Sequence, residues 1–380
     1  MQYRKFEGLE EKLSVLGFGS MRLPISDDDP GNVKEEESIK LIRYAIDNGI
    51  NYVDTAYNYH KGKSEIIVGK ALKDGYRDKV KIATKLPVWL TNTHEDFDKY
   101  LNEQLQKLDV KHIDFYLMHS LNKKYWEKLK KIDIFTFLDK ALEDGRIKHI
   151  GFSFHDDVSL FKEIIDTYDW DFCQMQYNYM NENFQAGTEG LEYAASKNIP
   201  VMIMEPLLGG KLAKEPSKDI KQLWDKAKVK RTSAEWGLRW VWNHPEVAVV
   251  LSGMNTFEQL DENIKIAETA LPKSLTQEEL TLIKEVEKKY RSKIAINCTD
   301  CEYCMPCPNN VWIPYNFELY NNFFTYGIKE DSTKMYEKLK TAKQAASACV
   351  ECGKCEAACP QGLAIMETLK KVDSTLSKQV

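Results

Sequence analysis

Cysteine is almost missing from most of this 380-residue chain: Cys173 stands alone before residue 298, and the other eight of nine cysteines crowd between Cys298 and Cys359. Core cysteines would be spread more evenly. A disulfide framework is a device of small exported domains, so metal binding near the C-terminus is the expectation. Long apolar runs are also missing. None approaches the roughly 20 residues of a membrane-spanning helix, and the polar start, Met1 to Lys12, does not read as a signal peptide. The expected location is cytoplasmic, with no membrane partner. An excess of positive charge is missing too. Lys and Arg number 53 against 58 Asp and Glu, a net charge of −5, which argues against a nucleic-acid surface. Finally, the chain lacks GxGxxG after its first strand. The turn there reads Gly17-Phe18-Gly19-Ser20-Met21, unlike the dinucleotide fingerprint of an open doubly wound sheet.

What is present has the make-up of a globular protein, 43% hydrophobic and 29% charged. A hairpin, Tyr3–Phe6 with Leu13–Gly17, precedes a regular rhythm. Strands are expected at 15–19, 50–53, 80–84, 113–118, 149–152, 172–175, 201–204 and 247–251. Helices are expected at 35–48, 64–73, 94–108, 126–144, 158–167, 186–197 and 232–243. Eight strands alternating with helices, about 30 residues per unit, predict a parallel sheet. Its natural closure is an α/β fold, the (β/α)8 TIM barrel. A helix at 277–289 follows, and composition changes sharply from Asn297. The expected domains are therefore a barrel over 1–290 and a second domain over 291–380.

Barrel active sites sit where strands end. Strand 2 ends at Asp54 and opens into a loop carrying Tyr59. Strand 3 leads to Lys85 and strand 4 to His119. Each alone has a plain reading: a cap, a solvated lysine, a packed histidine. Together on one rim they make chemical sense. A phenol has a pKa near 10, and a lysine cation beside it favours the phenolate. An aspartate can anchor the lysine, and an imidazole can hold a carbonyl oxygen.

Asp54, Tyr59, Lys85 and His119 resemble the tetrad of the aldo-keto reductases in type, order and spacing. The stretches Leu16–Pro24, Ile150–Ser153, Gln174–Asn178, Glu205–Leu207 and Glu258–Asn263 resemble that family as well, over roughly residues 1 to 290. The resemblance implies a nicotinamide-dependent oxidoreductase acting on a carbonyl or alcohol. Tyr59 would be the proton donor, Lys85 its tuner, Asp54 the partner of Lys85, and His119 the group orienting the carbonyl. It implies cofactor contacts at Ser20, Met21, Asp54, Ser153, Gln174, Leu207, Gly253, Gln259, Glu262 and Asn263. Ser153 and Gln174 would hold the nicotinamide carboxamide, and Glu262 and Asn263 the adenine end. Three departures stand out. Met204 occupies the place of a stacking aromatic, and Phe154 that of an asparagine. Gly253, Met254 and Gln259 stand where basic residues would meet a 2′-phosphate, with Arg22 and Lys211 as candidate substitutes. Both NADP(H) and NAD(H) stay open. Trp89, Tyr57 and Trp312 are candidates for the pocket wall.

The tail holds Cys298-x2-Cys301-x2-Cys304-x2-Cys307-Pro308, then Cys349-x2-Cys352-x2-Cys355-x3-Cys359-Pro360. The second run is the bacterial ferredoxin pattern; the first departs by one residue before its last cysteine. Zinc is the alternative, but it usually takes two separated pairs. Eight thiolates suit two 4Fe–4S clusters. On the two-cluster pattern Cys298, Cys301, Cys304 and Cys359 hold one, and Cys349, Cys352, Cys355 and Cys307 the other. A helix near 335–348 makes this a mainly helical two-cluster ferredoxin-like domain. The whole resembles an aldo-keto reductase subgroup with a C-terminal iron–sulfur region, and an electron-transfer protein is a candidate partner. Clusters move single electrons whereas hydride transfer moves two. Either a flavin or another two-electron mediator takes part, although no residue run identifies a flavin site, or the clusters serve structure or sensing. The alternative is a redox-sensing or electron-transfer protein whose barrel binds NAD(P)H without significant carbonyl turnover.

Overall fold

A computed structural model describes residues 1–6, 9, 12–27, 29–298 and 300–377. Two short antiparallel strands, β1 (Tyr3–Arg4) and β2 (Leu13–Ser14), come first. Eight parallel strands then close a barrel in sequence order. They are β3 (Leu16–Gly19), β4 (Tyr52–Asp54), β5 (Lys81–Leu86), β6 (Ile113–Leu121), β7 (Ile147–Phe154), β8 (Phe172–Gln176), β9 (Val201–Met204) and β10 (Val247–Ser252). These runs are buried almost throughout because both faces of a barrel strand are covered. Tyr52, Phe115, Leu117, Phe172, Met202 and Val249 fill the interior, with Leu9 and Leu13 joining the cluster from the hairpin region. Cys173 in β8 is fully buried, and burial pushes its thiol pKa up, as suits a core residue.

The helices between strands are amphipathic. In α1 (Glu35–Asp47), Leu41, Ile42, Ala45 and Ile46 are buried, and three acids in the first turn face the positive end of the helix dipole. Next come α2 (Ser64–Ala71) and α3 (Glu95–Leu108). The single helix expected over 126–144 is two, α4 (Lys123–Lys131) and α5 (Ile134–Glu143). They break at Asp133, whose φ of 61° lies in the left-handed region that an aspartate tolerates better than most residues. The other helices are α6 (Val158–Thr167), α7 (Gly187–Ser196), α8 (Lys218–Trp224), α9 (Ser233–Trp242), α10 (Phe257–Glu268) and α11 (Gln277–Arg291).

By packing, the chain divides into Met1–Gly209 with Ala234–Thr276, and Gly210–Ser233 with Gln277–Val380. The first unit holds the barrel strands. The second takes in α8 and α11, which lie on the barrel side of a boundary at residue 290. They group here because α11 buries Leu282, Ile283, Val286 and Tyr290, and Lys289 and Lys293 pair with Asp219 of α8. Four more helices follow: α12 (Ile313–Thr325), α13 (Lys329–Thr341), α14 (Lys354–Ala358) and α15 (Ile365–Leu376). Helix α12 carries Pro314 in its first turn, where the missing N–H costs nothing. The helix expected at 335–348 begins earlier and stops at Thr341, before Lys343, whose φ is 56°. Ile313, Phe317, Tyr336, Leu369 and Val372 form this unit's own core. Among the described residues no helix is long and apolar enough to cross a membrane.

Candidate active site

Strand register places the ionisable residues on one rim. Asp54 ends β4 and pairs with Ala83; Lys85, two residues on, pairs with Leu117; His119 lies two residues beyond that. Lys85 is fully buried. Its ammonium donates to Asp54 Oδ1 at 2.6 Å, to the Thr55 carbonyl at 2.8 Å and to the Tyr59 hydroxyl at 3.4 Å. The His119 ring stands edge-on to Tyr59, centroids 6.0 Å apart, with Trp89 5.2 Å away on its other contact.

Burial acts on all four groups. It disfavours the Lys85 ammonium, but the charges and hydrogen bonds of Asp54 and Tyr59 outweigh it and leave Lys85 above the ordinary lysine value. Burial raises Asp54, with Lys85 opposing. Burial raises Tyr59 as well. Lys85 pulls it down by charge and hydrogen bond, while Asp54 and Glu205 add to the rise. The expected lowering by lysine is therefore present but does not win. His119 falls well below the usual histidine value through burial first, then the positive charge of Lys85, with the nearby His155 ring acting in the same direction. It is neutral at physiological pH, and its Nδ1 is buried with no hydrogen-bond partner among the described residues.

The loop bearing Tyr59 is held from behind. His60 and Lys61 have φ of 53° and 55°, which turns the chain sharply after Tyr59. His60 Nε2 accepts the Leu23 N–H at 3.1 Å, and its Nδ1 lies 2.8 Å from the Pro30 carbonyl. That pairing requires the proton on Nδ1. No feature of the residue type marks His60 for this task; the contact depends on the folded loop.

The expected cofactor residues divide by surroundings. Ser153 and Gln174 are register partners on β7 and β8. The Ser153 oxygen accepts the Ser120 N–H at 2.7 Å, which leaves its own proton to donate. The Gln174 amide nitrogen points to the Met204 sulfur at 3.4 Å, and its Oε1 is buried with no partner among the described residues. A buried unsatisfied acceptor calls for a ligand or water. One donor beside one acceptor complements a primary carboxamide, so these residues fit a nicotinamide. Asn263 donates to Ser252 Oγ at 3.1 Å, which leaves its carbonyl oxygen for another group. Glu262 is half-buried and Leu207 buried, whereas Met21 is exposed.

Two expected contacts have other partners. The Ser20 hydroxyl donates to the Asp54 carbonyl at 2.8 Å and meets Ser64 Oγ at the same distance, holding β3 to β4. Gln259 accepts the Asn255 N–H at 3.0 Å while its own N–H goes to Thr256 Oγ1, capping α10. The Arg22 side chain lies across Gly253 and Gly209: a Cβ at Gly253 would stand 3.1 Å from Arg22 Cβ, and one at Gly209 3.2 Å from Nη2. The two glycines thus let an arginine lie flat after β9 and β10. Among the described residues Arg22 has no ion pair.

Of the candidate wall residues, Trp89 stands against His119 of the tetrad. Tyr57 turns to α3, where its hydroxyl donates to Glu103, and Trp312 in the second unit packs on Tyr315. Glu205 and His155 are charge neighbours that the strand pattern did not single out. Glu205 follows β9 with a φ of 54°, and His155 follows β7.

In the second unit, a cavity of about 210 Å³ is lined by Cys304, Cys307, Cys349, Cys352 and Cys355. A smaller one, of about 20 Å³, is lined by Cys298, Cys301, Cys304 and Cys359. The sulfurs of the two runs therefore interleave, with Cys304 at both walls. Among the described residues no three His, Cys, Asp or Glu side chains gather closely enough for a single ion. Cys301 and Cys352 are exposed, and the other six are partly buried.

The chain matches the aldo/keto reductase family over residues 15–288, and it belongs to that family. Residues 297–364 match a 4Fe-4S dicluster domain. Among curated proteins it is 25% identical over 321 residues to the NADH-specific methylglyoxal reductase of Escherichia coli (strain K12), covering 72% of this chain and 94% of that protein. It is 33% identical over 150 residues to a probable aldo-keto reductase 1 of Glycine max, covering 37% of this chain and 42% of that one. Solved structures share the fold. The holo form of aldo-keto reductase AKR11C1 from Bacillus halodurans has a TM-score of 0.64 at 24% identity, over 75% of this chain and 96% of that one. An aldo-keto reductase from Klebsiella pneumoniae in complex with NADPH has a TM-score of 0.60 at 21% identity, over 74% and 93%.

Proposed function

We propose that the protein interconverts a carbonyl compound and its alcohol with a nicotinamide cofactor. The observation that carries this reading is the Lys85 ammonium placed between Asp54 at 2.6 Å and Tyr59 at 3.4 Å, beside a neutral His119. Ser153 and Gln174 would hold the carboxamide of the nicotinamide, which when bound would supply hydride to the carbonyl carbon. Tyr59 gives its proton to the carbonyl oxygen as the C=O π bond opens. The Lys85 cation steadies the phenolate left behind, and Asp54 keeps Lys85 charged and in place. Neutral His119 offers an N–H to the same oxygen and turns the carbonyl toward Tyr59. Tyr59 regains its proton from solvent through the mouth.

Arg22 supports use of NADP(H). It is a cation laid beside Gly253, and a guanidinium suits a phosphate dianion. The cysteines of the second unit would hold two 4Fe–4S clusters. Cys298, Cys301, Cys304 and Cys359 take one, and Cys307, Cys349, Cys352 and Cys355 the other, in keeping with the two cavities. When bound, such clusters would supply one-electron transfer with a partner protein.

The test is carbonyl-dependent oxidation of NADPH or NADH by anaerobically purified protein, with alcohol formed one-to-one. Cofactor binding without turnover across a broad carbonyl panel would favour a sensing or electron-transfer role instead.

A further inference from the structure

Helix α3 carries Tyr100, Glu103, Gln104 and Lys107 at spacings of three and four residues, so they share one face. That face meets two segments of the site. On one side is the loop two residues before Tyr59. The Tyr57 hydroxyl donates to Glu103 at 3.0 Å, and its ring stands edge-on to Tyr100 at 5.5 Å. Lys107 Nζ lies 3.7 Å from the centre of the Tyr57 ring and 3.1 Å from Glu103.

On the other side is the strand carrying Lys85. Gln104 Nε2 donates to the Lys85 carbonyl at 3.0 Å and to Glu65 Oε1 at 2.7 Å, while its Oε1 accepts from Tyr116 at 2.9 Å. The Thr84 hydroxyl donates to the same Glu65 oxygen at 2.7 Å. Lys107 stands 3.7 Å from the second oxygen of Glu65 and so joins the two sides. Glu65 and Gln104 are fully buried. Their meeting is fixed by the crossing of α2 and α3. A Cβ on Gly69 would lie 2.5 Å from the Leu108 carbonyl, so the backbones touch there. Glu65 and Gln104 each sit four residues earlier, one turn along their helices.

We propose that this face of α3 sets the separation of Tyr59 and Lys85, with Tyr57, Glu103 and Gln104 as positioning residues for proton transfer. The proposal rests on the reading of Tyr59 as proton donor. None of the three touches the reacting atoms. They act by holding the loop and the strand at fixed places on one rigid helix. The Lys85–Tyr59 contact is long enough that a slip matters. Lengthening it by about 1 Å weakens the ammonium–phenolate attraction by close to one pKa unit at an effective dielectric of about 20. The charged and titratable groups facing Tyr59 are Lys85 from β5, Asp54 from β4, His119 from β6 and Glu205 after β9. The variants below leave all four in place.

The test uses the full chain, purified anaerobically, with Tyr57→Phe and Gln104→Met made separately. Tyr59 ionisation is read by ultraviolet difference absorbance against the same variant carrying Tyr59→Phe. Both variants are expected to raise the Tyr59 pKa by about one unit. Carbonyl reduction should show kcat roughly tenfold lower, with KM and the NADPH Kd within about twofold. An unmoved Tyr59 ionisation in both variants, even with a lowered melting temperature, overturns the proposal and leaves the face a packing surface. If the unaltered protein reduces no carbonyl, the functional reading fails on its own, and the absorbance titration still decides whether α3 governs Tyr59.

Discussion

Lys85 donates to Asp54 across 2.6 Å with both side chains nearly sealed from water. Taking two charges out of water is costly, and only close geometry and further hydrogen bonds offset it. The Thr55 carbonyl and Tyr59 supply those bonds. Removing one partner strands the other, so Lys85→Met and Asp54→Asn should each lower stability by about 3–5 kcal/mol and abolish carbonyl reduction. Chemical denaturation with steady-state assays checks both. Full activity in either variant would remove the ion pair from the mechanism.

The pH dependence has a definite sign. Reduction needs Tyr59 protonated, and burial holds its pKa above the ordinary phenol value. The basic limb of kcat/KM for reduction should therefore lie above about pH 10. Alcohol oxidation needs the phenolate and should rise with pH over the same range. His119 is lowered and stays neutral, so no limb should be centred near pH 6.5 from this residue. Rate profiles in both directions check this.

Arg22 offers the readout on cofactor choice. Arg22→Ala should weaken NADPH binding by about tenfold or more, the loss of one charge-assisted hydrogen bond, and NADH binding much less. Titration calorimetry with both cofactors distinguishes this from an equal loss, which would point to contact with the shared pyrophosphate.

The eight cysteines of the second unit should behave as two sets, one for each cluster. Anaerobic protein should carry about eight iron per chain, as two 4Fe–4S clusters require. Cys359→Ser and Cys301→Ser should remove the same cluster, and Cys307→Ser and Cys352→Ser the other. Iron analysis with electron paramagnetic resonance on the four variants separates the two sets. Zinc without iron would contradict the assignment.

The barrel was legible because eight short apolar runs alternate with amphipathic helices, a pattern set by burial on both strand faces. Asp54, Lys85 and His119 could be placed together because each lies at or within two residues of the C-terminal end of its strand, and those ends share one rim. Ser153 and Gln174 were reachable only through resemblance. Their register pairing and the open oxygen of Gln174 are properties of the folded sheet. Sequence gave no sign that the Ser20 and Gln259 side chains have partners elsewhere, since a serine or glutamine looks the same whether it meets ligand or backbone. Helix α12 lay outside the expected elements, although Ile313, Phe317, Tyr320 and Phe324 recur at the spacing of one helix face. The break at Asp133 depends on one left-handed residue, and His60, Glu65 and Gln104 act through contacts that no local pattern encodes.

Proton delivery by Tyr59 is the step on which the rest of the mechanism depends. Single-turnover reduction with Tyr59→Phe, preloaded with NADPH under anaerobic conditions, isolates that step. Cofactor affinity should stay within about twofold of the unaltered chain, and hydride transfer should slow by roughly 10²–10⁴-fold, the usual worth of a positioned acid. Hydride transfer at an unchanged rate would contradict proton delivery by Tyr59.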